Sequence, residues 1–167
     1  KPRHVSKHIP AMPWQEVPAF YASLTERTPT HLALRLLILT GVRTAPLRHL
    51  RLADIEGDVW TVPGELMKGR KGATADFRVP LAAEALRVID AARPFARAGL
   101  LFTAGRGKPI SDMTLSTHMK RRDLEARPHG FRTSLRTWLA EATDAPHEVA
   151  EAMLAHVVDG GVVRAYR

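Results

Sequence analysis

The chain has 167 residues and no cysteine, and its 25 Lys and Arg against 17 Asp and Glu give a net charge of +8. This length fits one domain, and the absence of cysteine excludes disulfides, thiolate zinc sites and cysteine nucleophiles. The longest apolar stretch, residues 32–42, is broken by Arg35 and is too short to span a membrane. Residues 1–5 lack the apolar core of a signal peptide, so we expect a soluble protein inside the cell.

The basic residues fall into two blocks along the chain. Residues 1–52 have a net charge of +6 and residues 106–138 of +5, whereas residues 53–105 are neutral overall and residues 139–167 have a net charge of −3. Two basic blocks separated by a neutral segment can meet in space and line one groove. Such a distribution favours a polyanionic partner; a generally basic surface on a soluble protein is the alternative.

The first third of the chain predicts a lead-in followed by helices. Residues 1–13 hold three prolines and little apolar periodicity, which is typical of a linker. From Trp14 the apolar residues recur at helical spacing. A second helix is predicted over residues 31–40, with Thr30 as its N-cap and Gly41 as its stop, and a short helix over residues 47–52.

The middle of the chain changes to β-prone residues. Residues 59–62 and 77–80 are typical of strands, and a Gly-rich basic turn at residues 67–72 lies between them. This pattern predicts a hairpin or a three-stranded antiparallel sheet. Helices are then expected at residues 81–92, 111–124, 129–143 and 146–156, with a last short helix to Tyr166. The fold class predicted is mainly α with a small antiparallel β-sheet.

The densest cluster of chemically useful side chains is the pair His129 and Arg132. Residues three apart share one face of a helix, so the imidazole and the guanidinium can converge on one ligand. Arginine offers a planar fork of donors that suits phosphate oxygens, and histidine can transfer a proton near pH 7. Alone, this spacing is equally compatible with a capping histidine and a surface arginine.

Four further residues are candidates for a functional site because of their positions along the chain. Arg43 follows the apolar second helix, Lys68 lies in the Gly-rich turn, and His156 follows Met-Leu-Ala near the last helix. Tyr166 is the penultimate residue. Each of them alone also fits a plain structural role, such as a solvated helix end or a half-buried tyrosine.

Taken in order, these segments resemble the conserved boxes of the tyrosine recombinases, the phage integrase family. The first arginine box corresponds to TGVR at 40–43 followed by LRHLRLADI at 47–55, and the lysine hairpin to MKGR at 67–70 followed by FRVPL at 77–81. The second box corresponds to HGFRTSLRTW at 129–138. The third box and the nucleophile correspond to LAHVV at 154–158 and VVRAYR at 162–167. The residues of these motifs are most similar to those of prophage and genomic-island integrases of the satellite-phage type.

The resemblance implies site-specific DNA recombination, for integration or excision of a prophage or genomic island. The implied catalytic residues are Arg43, Lys68, His129, Arg132, His156 and Tyr166. In that family the tyrosine attacks a DNA phosphodiester, and the arginines hold the phosphate without a metal or another cofactor. One position departs from the family: Pro46 stands three residues after the first arginine, where an acidic residue is common.

Basic residues around these boxes are predicted to contact DNA: Arg48, Arg70, Lys71, Arg106, Lys108, Lys120, Arg121, Arg122 and Arg136. The expected partner is double-stranded attachment-site DNA, with a homotetramer on DNA for the full-length protein, a monomeric fragment in solution and no membrane. The location expected is the bacterial cytoplasm, at the nucleoid.

The domain organisation predicted is a linker remnant at residues 1–13 and a catalytic domain at residues 14–167. On this interpretation the N-terminal DNA-binding domains and the C-terminal tail of the family are absent. Two alternatives remain open: a non-catalytic DNA-binding relic on the same scaffold, and a basic helical regulator unrelated to recombinases.

Overall fold

The computed structural model describes residues 9–67 and 74–155. Seven α-helices occur in these two ranges: α1 (Val17–Ala22), α2 (Pro29–Thr40), α3 (Thr44–Arg48), α4 (Ala83–Ala92), α5 (Thr114–Arg121), α6 (Gly130–Ala142) and α7 (His147–Met153). Three strands are present in the same ranges: β1 (Ile55–Glu56), β2 (Val59–Val62) and β3 (Phe77–Pro80). The predicted class, mainly α with a small antiparallel sheet, is confirmed.

Helix α2 lies at the centre of the domain and is buried along most of its length. Its leucines at positions 32, 34, 36 and 37 are at most 1% exposed, and the helix packs against α3, α4, α5 and α6. A helix that is apolar on nearly all sides is stable only when other elements surround it. These four helices therefore lie around α2.

The N-terminal cap of α2 differs from the predicted one. The structure begins the helix at Pro29 and caps it with Thr28, whose hydroxyl accepts a hydrogen bond from the His31 backbone N–H at 3.3 Å. Proline is well suited to the first helical position because its missing N–H needs no partner there. Gly41 ends the helix as predicted, with a left-handed φ of 61°.

The short helix predicted at residues 47–52 was placed too late along the chain. Helix α3 instead covers Thr44–Arg48 and is followed by a single 3-10 turn at Leu52–Asp54. The chain has only three residues between the end of α2 and the start of α3. Pro46 is accommodated because it lies within the first turn of α3, where its missing N–H is not needed.

The sheet is antiparallel in the order β1-β2-β3, and its register pairs Trp60 of β2 with Val79 of β3. Trp60 and Val62 are fully buried, while the alternate residues of β2 are half-buried. This period-two pattern places one face of the sheet on the core. The β2–β3 connection covers residues 63–76, of which residues 63–67 and 74–76 are described.

An extended N-terminal segment packs on the start of α6. The Pro10 carbonyl accepts a hydrogen bond from the Arg127 backbone N–H at 3.1 Å, and the Met12 carbonyl accepts one from the Ser134 hydroxyl. Met12 itself is 6% exposed. The last residues of the predicted linker therefore contribute to the packed body. Within the described ranges, none of the helices combines the length and apolar character needed to cross a bilayer.

Candidate DNA-cleavage site

The turn between α2 and α3 presents Arg43. Gly41 adopts the left-handed conformation that closes α2, and α3 begins three residues later. Arg43 follows in an extended conformation as the N-cap residue of α3, and its side chain is half-buried. A cation is thereby placed beside the core, at the carboxyl end of the central helix.

Arg132 lies in the first turn of α6 and is almost completely buried, at 6% exposure. Its Nη1 atom donates to the Gly41 carbonyl oxygen and its Nη2 atom to the Leu154 carbonyl oxygen, both at 2.5 Å. These two carbonyls belong to the residue that ends α2 and to the residue that follows α7. One guanidinium thus joins three helices that are distant in the sequence.

The electrostatics of Arg132 indicate a site for an anion. Burial, and then the positive charge of Arg43, lower the pKa of Arg132 from its usual range to about 10. The group remains a cation at neutral pH. A lowered pKa means that the protein bears a cost for holding the charged form, and an anion bound beside both guanidinium groups would offset that cost.

His129 lies directly before α6, one turn ahead of Arg132. It adopts helical backbone angles, and its carbonyl accepts the Arg132 backbone N–H at 3.2 Å. The residue is exposed. His129 and Arg132 are thus adjacent at the start of α6, with His129 exposed as its N-cap and Arg132 buried in its first turn; their convergence on one ligand stays a prediction.

Three predicted catalytic residues, Lys68, His156 and Tyr166, lie outside the described residues, as do Arg70 and Lys71. Described residues flank Lys68 on both sides in the sequence, and they precede His156. The Gly64 backbone N–H donates to the Asp76 Oδ1 at 2.8 Å, which joins the two arms of the β2–β3 connection. On the other side, α7 and Leu154 lead the chain toward position 156.

The residues predicted to contact DNA have different surroundings. Arg106, Lys108, Lys120 and Arg121 are exposed, and Arg121 lines a polar cavity of about 340 Å³ together with His118 and Thr30. Arg122 is exposed as well, and its Nη2 atom donates to the Ser23 hydroxyl at 2.8 Å. Arg48 and Arg136 are half-buried: Arg48 Nε donates to the Ile110 carbonyl at 2.7 Å, and Arg136 pairs with Glu151.

Sequence reasoning did not identify the backbone groups of the site. Gly41 was predicted only as a helix stop, and Leu154 was noted only for its place in a motif. Both act here through their carbonyl oxygens, which leave no trace in a side-chain pattern. Within residues 9–67 and 74–155, no three His, Asp or Glu side chains lie together in a way that could hold a metal ion.

The fold resembles that of solved DNA recombinases. The crystal structure of a lambda integrase tetramer bound to a Holliday junction matches 91% of this chain with a TM-score of 0.65, at 20% sequence identity and over 48% of that chain. At this identity the likeness concerns the fold. The chain therefore has the catalytic-domain fold of the tyrosine recombinases, as predicted.

The sequence comparisons agree with this class. The phage integrase family matches residues 11–167, and this chain belongs to that family. The prophage integrase IntZ of Escherichia coli K12 is 33% identical over 163 residues, which cover 92% of this chain and 39% of IntZ. The integrase of Enterobacteria phage P4 is 27% identical over 96% of this chain and 41% of its own length. The chain thus spans about two-fifths of the length of these relatives.

Proposed function

We propose that this chain is the catalytic part of a site-specific DNA recombinase that integrates or excises a prophage or genomic island. The observation that carries the proposal is the buried guanidinium of Arg132, which the Gly41 and Leu154 carbonyls hold in place. Arg43, from a separate stretch of the chain, lies near enough for its positive charge to lower the pKa of Arg132. Two cationic groups in this relation are suited to a phosphate with two non-bridging oxygens.

In the proposed reaction the Tyr166 hydroxyl oxygen attacks a phosphorus atom of the DNA backbone. A bond forms between the tyrosine oxygen and phosphorus, and the bond from phosphorus to the 5′ oxygen breaks. The products are a 3′-phosphotyrosine and a free 5′-hydroxyl, so the phosphodiester energy is conserved in the covalent intermediate. Rejoining is the same exchange with another strand's 5′-hydroxyl, and it needs neither a metal nor ATP.

Each of the other residues has a role in this proposal. Arg43 and Arg132 stabilise the negative charge that develops on the non-bridging oxygens. Lys68 donates a proton to the leaving 5′ oxygen, and His129 exchanges a proton with the tyrosine. His156 donates a hydrogen bond to the phosphate. The roles of Lys68, His129, His156 and Tyr166 follow from the family resemblance.

The proposed partner is double-stranded DNA that carries the attachment sites. The net charge of +8 and the exposed basic residues of the second block, such as Lys120 and Arg121, support this partner. Because the lambda integrase structure is a tetramer on a Holliday junction, we infer that the protein carrying this chain also assembles as a tetramer on its DNA.

The test is covalent capture of DNA. The purified protein is incubated with a pool of nicked duplexes of random sequence, in which the nick lets the short 5′-hydroxyl fragment diffuse away and traps the intermediate. We expect an SDS-resistant protein–DNA adduct whose sequenced DNA reveals a preferred site. The Tyr166→Phe variant should bind the recovered duplex with nearly the same affinity and form no adduct. DNA binding without any adduct in the wild-type protein would favour the non-catalytic relic.

A further inference from the structure

Helix α7 is short and has few anchors on the rest of the domain. It spans seven residues, His147–Met153, of which only Ala150 is buried, and Leu154 follows it at 1% exposure. Val149 and Met153 are 45% and 43% exposed. A helix of two turns is marginal by itself, so its orientation must come from a small number of tertiary contacts.

Arg136 supplies two of those contacts from α6. Its Nε atom donates to the Glu151 Oε1 at 2.5 Å, and its Nη2 atom lies 2.8 Å from the His147 Nδ1. Because a guanidinium can only donate, the His147 Nδ1 is the acceptor in the second contact. His147 and Glu151 are four positions apart and share one face of α7. Contact at both points restrains the rotation of α7 as well as its distance from α6.

The pair is protected from solvent more than an ordinary surface ion pair. The side chains of Arg136 and Glu151 are 29% and 17% exposed. Arg136 also lies one helical turn after Arg132, whose own Nη2 holds the Leu154 carbonyl at the end of α7. The two arginines of α6 therefore form hydrogen bonds to different parts of α7 and to Leu154, which follows it. In the sequence, His156 is the second residue after Leu154.

We propose that Arg136 and Glu151 form a positioning pair that sets the angle of α7 and thereby the position of the Leu154 carbonyl, which is the second acceptor of the Arg132 guanidinium. This role rests on the proposed function and gives Arg136 a contact within the protein, whereas its sequence context predicts a DNA contact. Removing the pair leaves Arg132 with its Gly41 partner but loosens the helix that carries its second acceptor. Arg136 touches no reacting atom and acts through α7.

The experiment compares two ion pairs that join helices within the described ranges. The variants Arg136→Gln and Glu151→Gln break the positioning pair. The matched control is Arg35→Gln, which breaks a 2.7 Å ion pair between α2 and α4 with similar exposure, 28% for Arg35 and 32% for Glu84. The measurements are the melting temperature, the DNA Kd and the single-turnover rate of adduct formation at saturating DNA on the duplex recovered by covalent capture.

We expect Arg136→Gln to slow adduct formation roughly 10- to 100-fold, since small misplacements of reacting groups cost rates of this order, while its DNA Kd changes less than about twofold. The control should lose a similar amount of thermal stability and keep its rate. The double variant that carries Arg136→Glu with Glu151→Arg should recover most of the lost rate. A loss of DNA affinity at an unchanged saturated rate would instead identify Arg136 as a DNA contact and overturn the proposal.

Hydrogen exchange separates this inference from the proposed function. The Leu154 and Ala155 amides donate within the last turn of α7, to the Glu151 and Ala152 carbonyls. We expect both amides to exchange faster in Arg136→Gln and to be unaffected in Arg35→Gln, whether or not the wild-type protein cleaves DNA. Unchanged exchange at these two amides in Arg136→Gln would overturn the positioning role. A wild-type protein without adduct would overturn the proposed function alone.

Discussion

Gly41 lies so close to Leu135 that a β-carbon at position 41 would come within 2.5 Å of the Leu135 Cδ2 atom. Its φ of +61° is also one that residues with a side chain adopt at a cost of about 1–2 kcal/mol. The same residue offers its carbonyl to Arg132. The turn after α2 therefore couples backbone conformation, core packing and the orientation of a buried guanidinium.

The first prediction concerns Gly41→Ala. We expect a loss of unfolding free energy larger than the roughly 1–2 kcal/mol of left-handed strain, because Leu135 must also move. DNA cleavage should fall as well, since the Arg132 acceptor shifts. The control is Gly57→Ala, at a φ of +58° with no atom within 4 Å of the added carbon. Chemical denaturation that gave equal losses for both variants would show that Leu135 adjusts freely.

The second prediction concerns Arg43→Gln. Adduct formation should slow roughly 10²- to 10³-fold, the usual cost of losing one donor to a developing oxyanion. The melting temperature should stay the same or rise, because the change removes a positive charge that opposes the charged form of Arg132. Arg27→Gln, at an exposed position before α2, is the control and should alter neither. A variant that is both inactive and strongly destabilised would contradict this account.

The elements of the fold were largely predictable because they follow from local patterns. The strands Val59–Val62 and Phe77–Pro80 match the predicted bounds, since β-branched and aromatic residues alternate there between turn signals. Helix caps were less predictable. Thr28 and Thr30 both have side chains that can cap a helix. In the structure Pro29 is the first residue of α2, and Thr28 is therefore the N-cap.

The catalytic roles of the site residues stay predictions, and the contacts that hold Arg132 in place could not be read from the sequence. The spacing of His129 and Arg132 pointed to one helix face, and motif order linked Arg43 to that helix. Arg132 binds the carbonyls of Gly41 and Leu154, and these bonds depend on how three helices pack. Likewise, the positive charge of Arg136 suggested DNA, but Glu151 reaches it from 15 positions away along the chain.

The third prediction concerns Gly64→Ala, on the connection between β2 and β3. An added β-carbon would overlap the Thr74 carbonyl oxygen and lie 2.8 Å from its carbon, so backbone has to move. We expect a loss of about 1–3 kcal/mol of unfolding free energy, typical of overpacking. Cleavage should drop further, because Lys68 lies between positions 64 and 74 in the sequence. The variant Asp76→Asn keeps an oxygen to accept the Gly64 N–H and should be nearly neutral in both assays; a matching loss there would point to the carboxylate charge.

The last prediction uses an anion to probe the two arginines. The pKa of Arg132 is lowered to about 10 by burial and by Arg43, so below pH 10 the protein bears the full cost of the charged form. That cost recedes only as the pH rises above about 10, because the folded protein then loses a proton that the unfolded chain still binds.

Bound phosphate should offset this cost at neutral pH and raise the melting temperature, because a ligand that binds only the folded state stabilises it by mass action. The measurement is calorimetry at pH 7.5, with phosphate compared against chloride at equal ionic strength. We expect phosphate to stabilise the wild-type protein more than chloride does, and the difference to shrink in Arg43→Gln, which lacks one of the two donors. An equal response of both proteins would mean that phosphate binds elsewhere on the basic surface, and that the Arg43 and Arg132 pair is not an anion site.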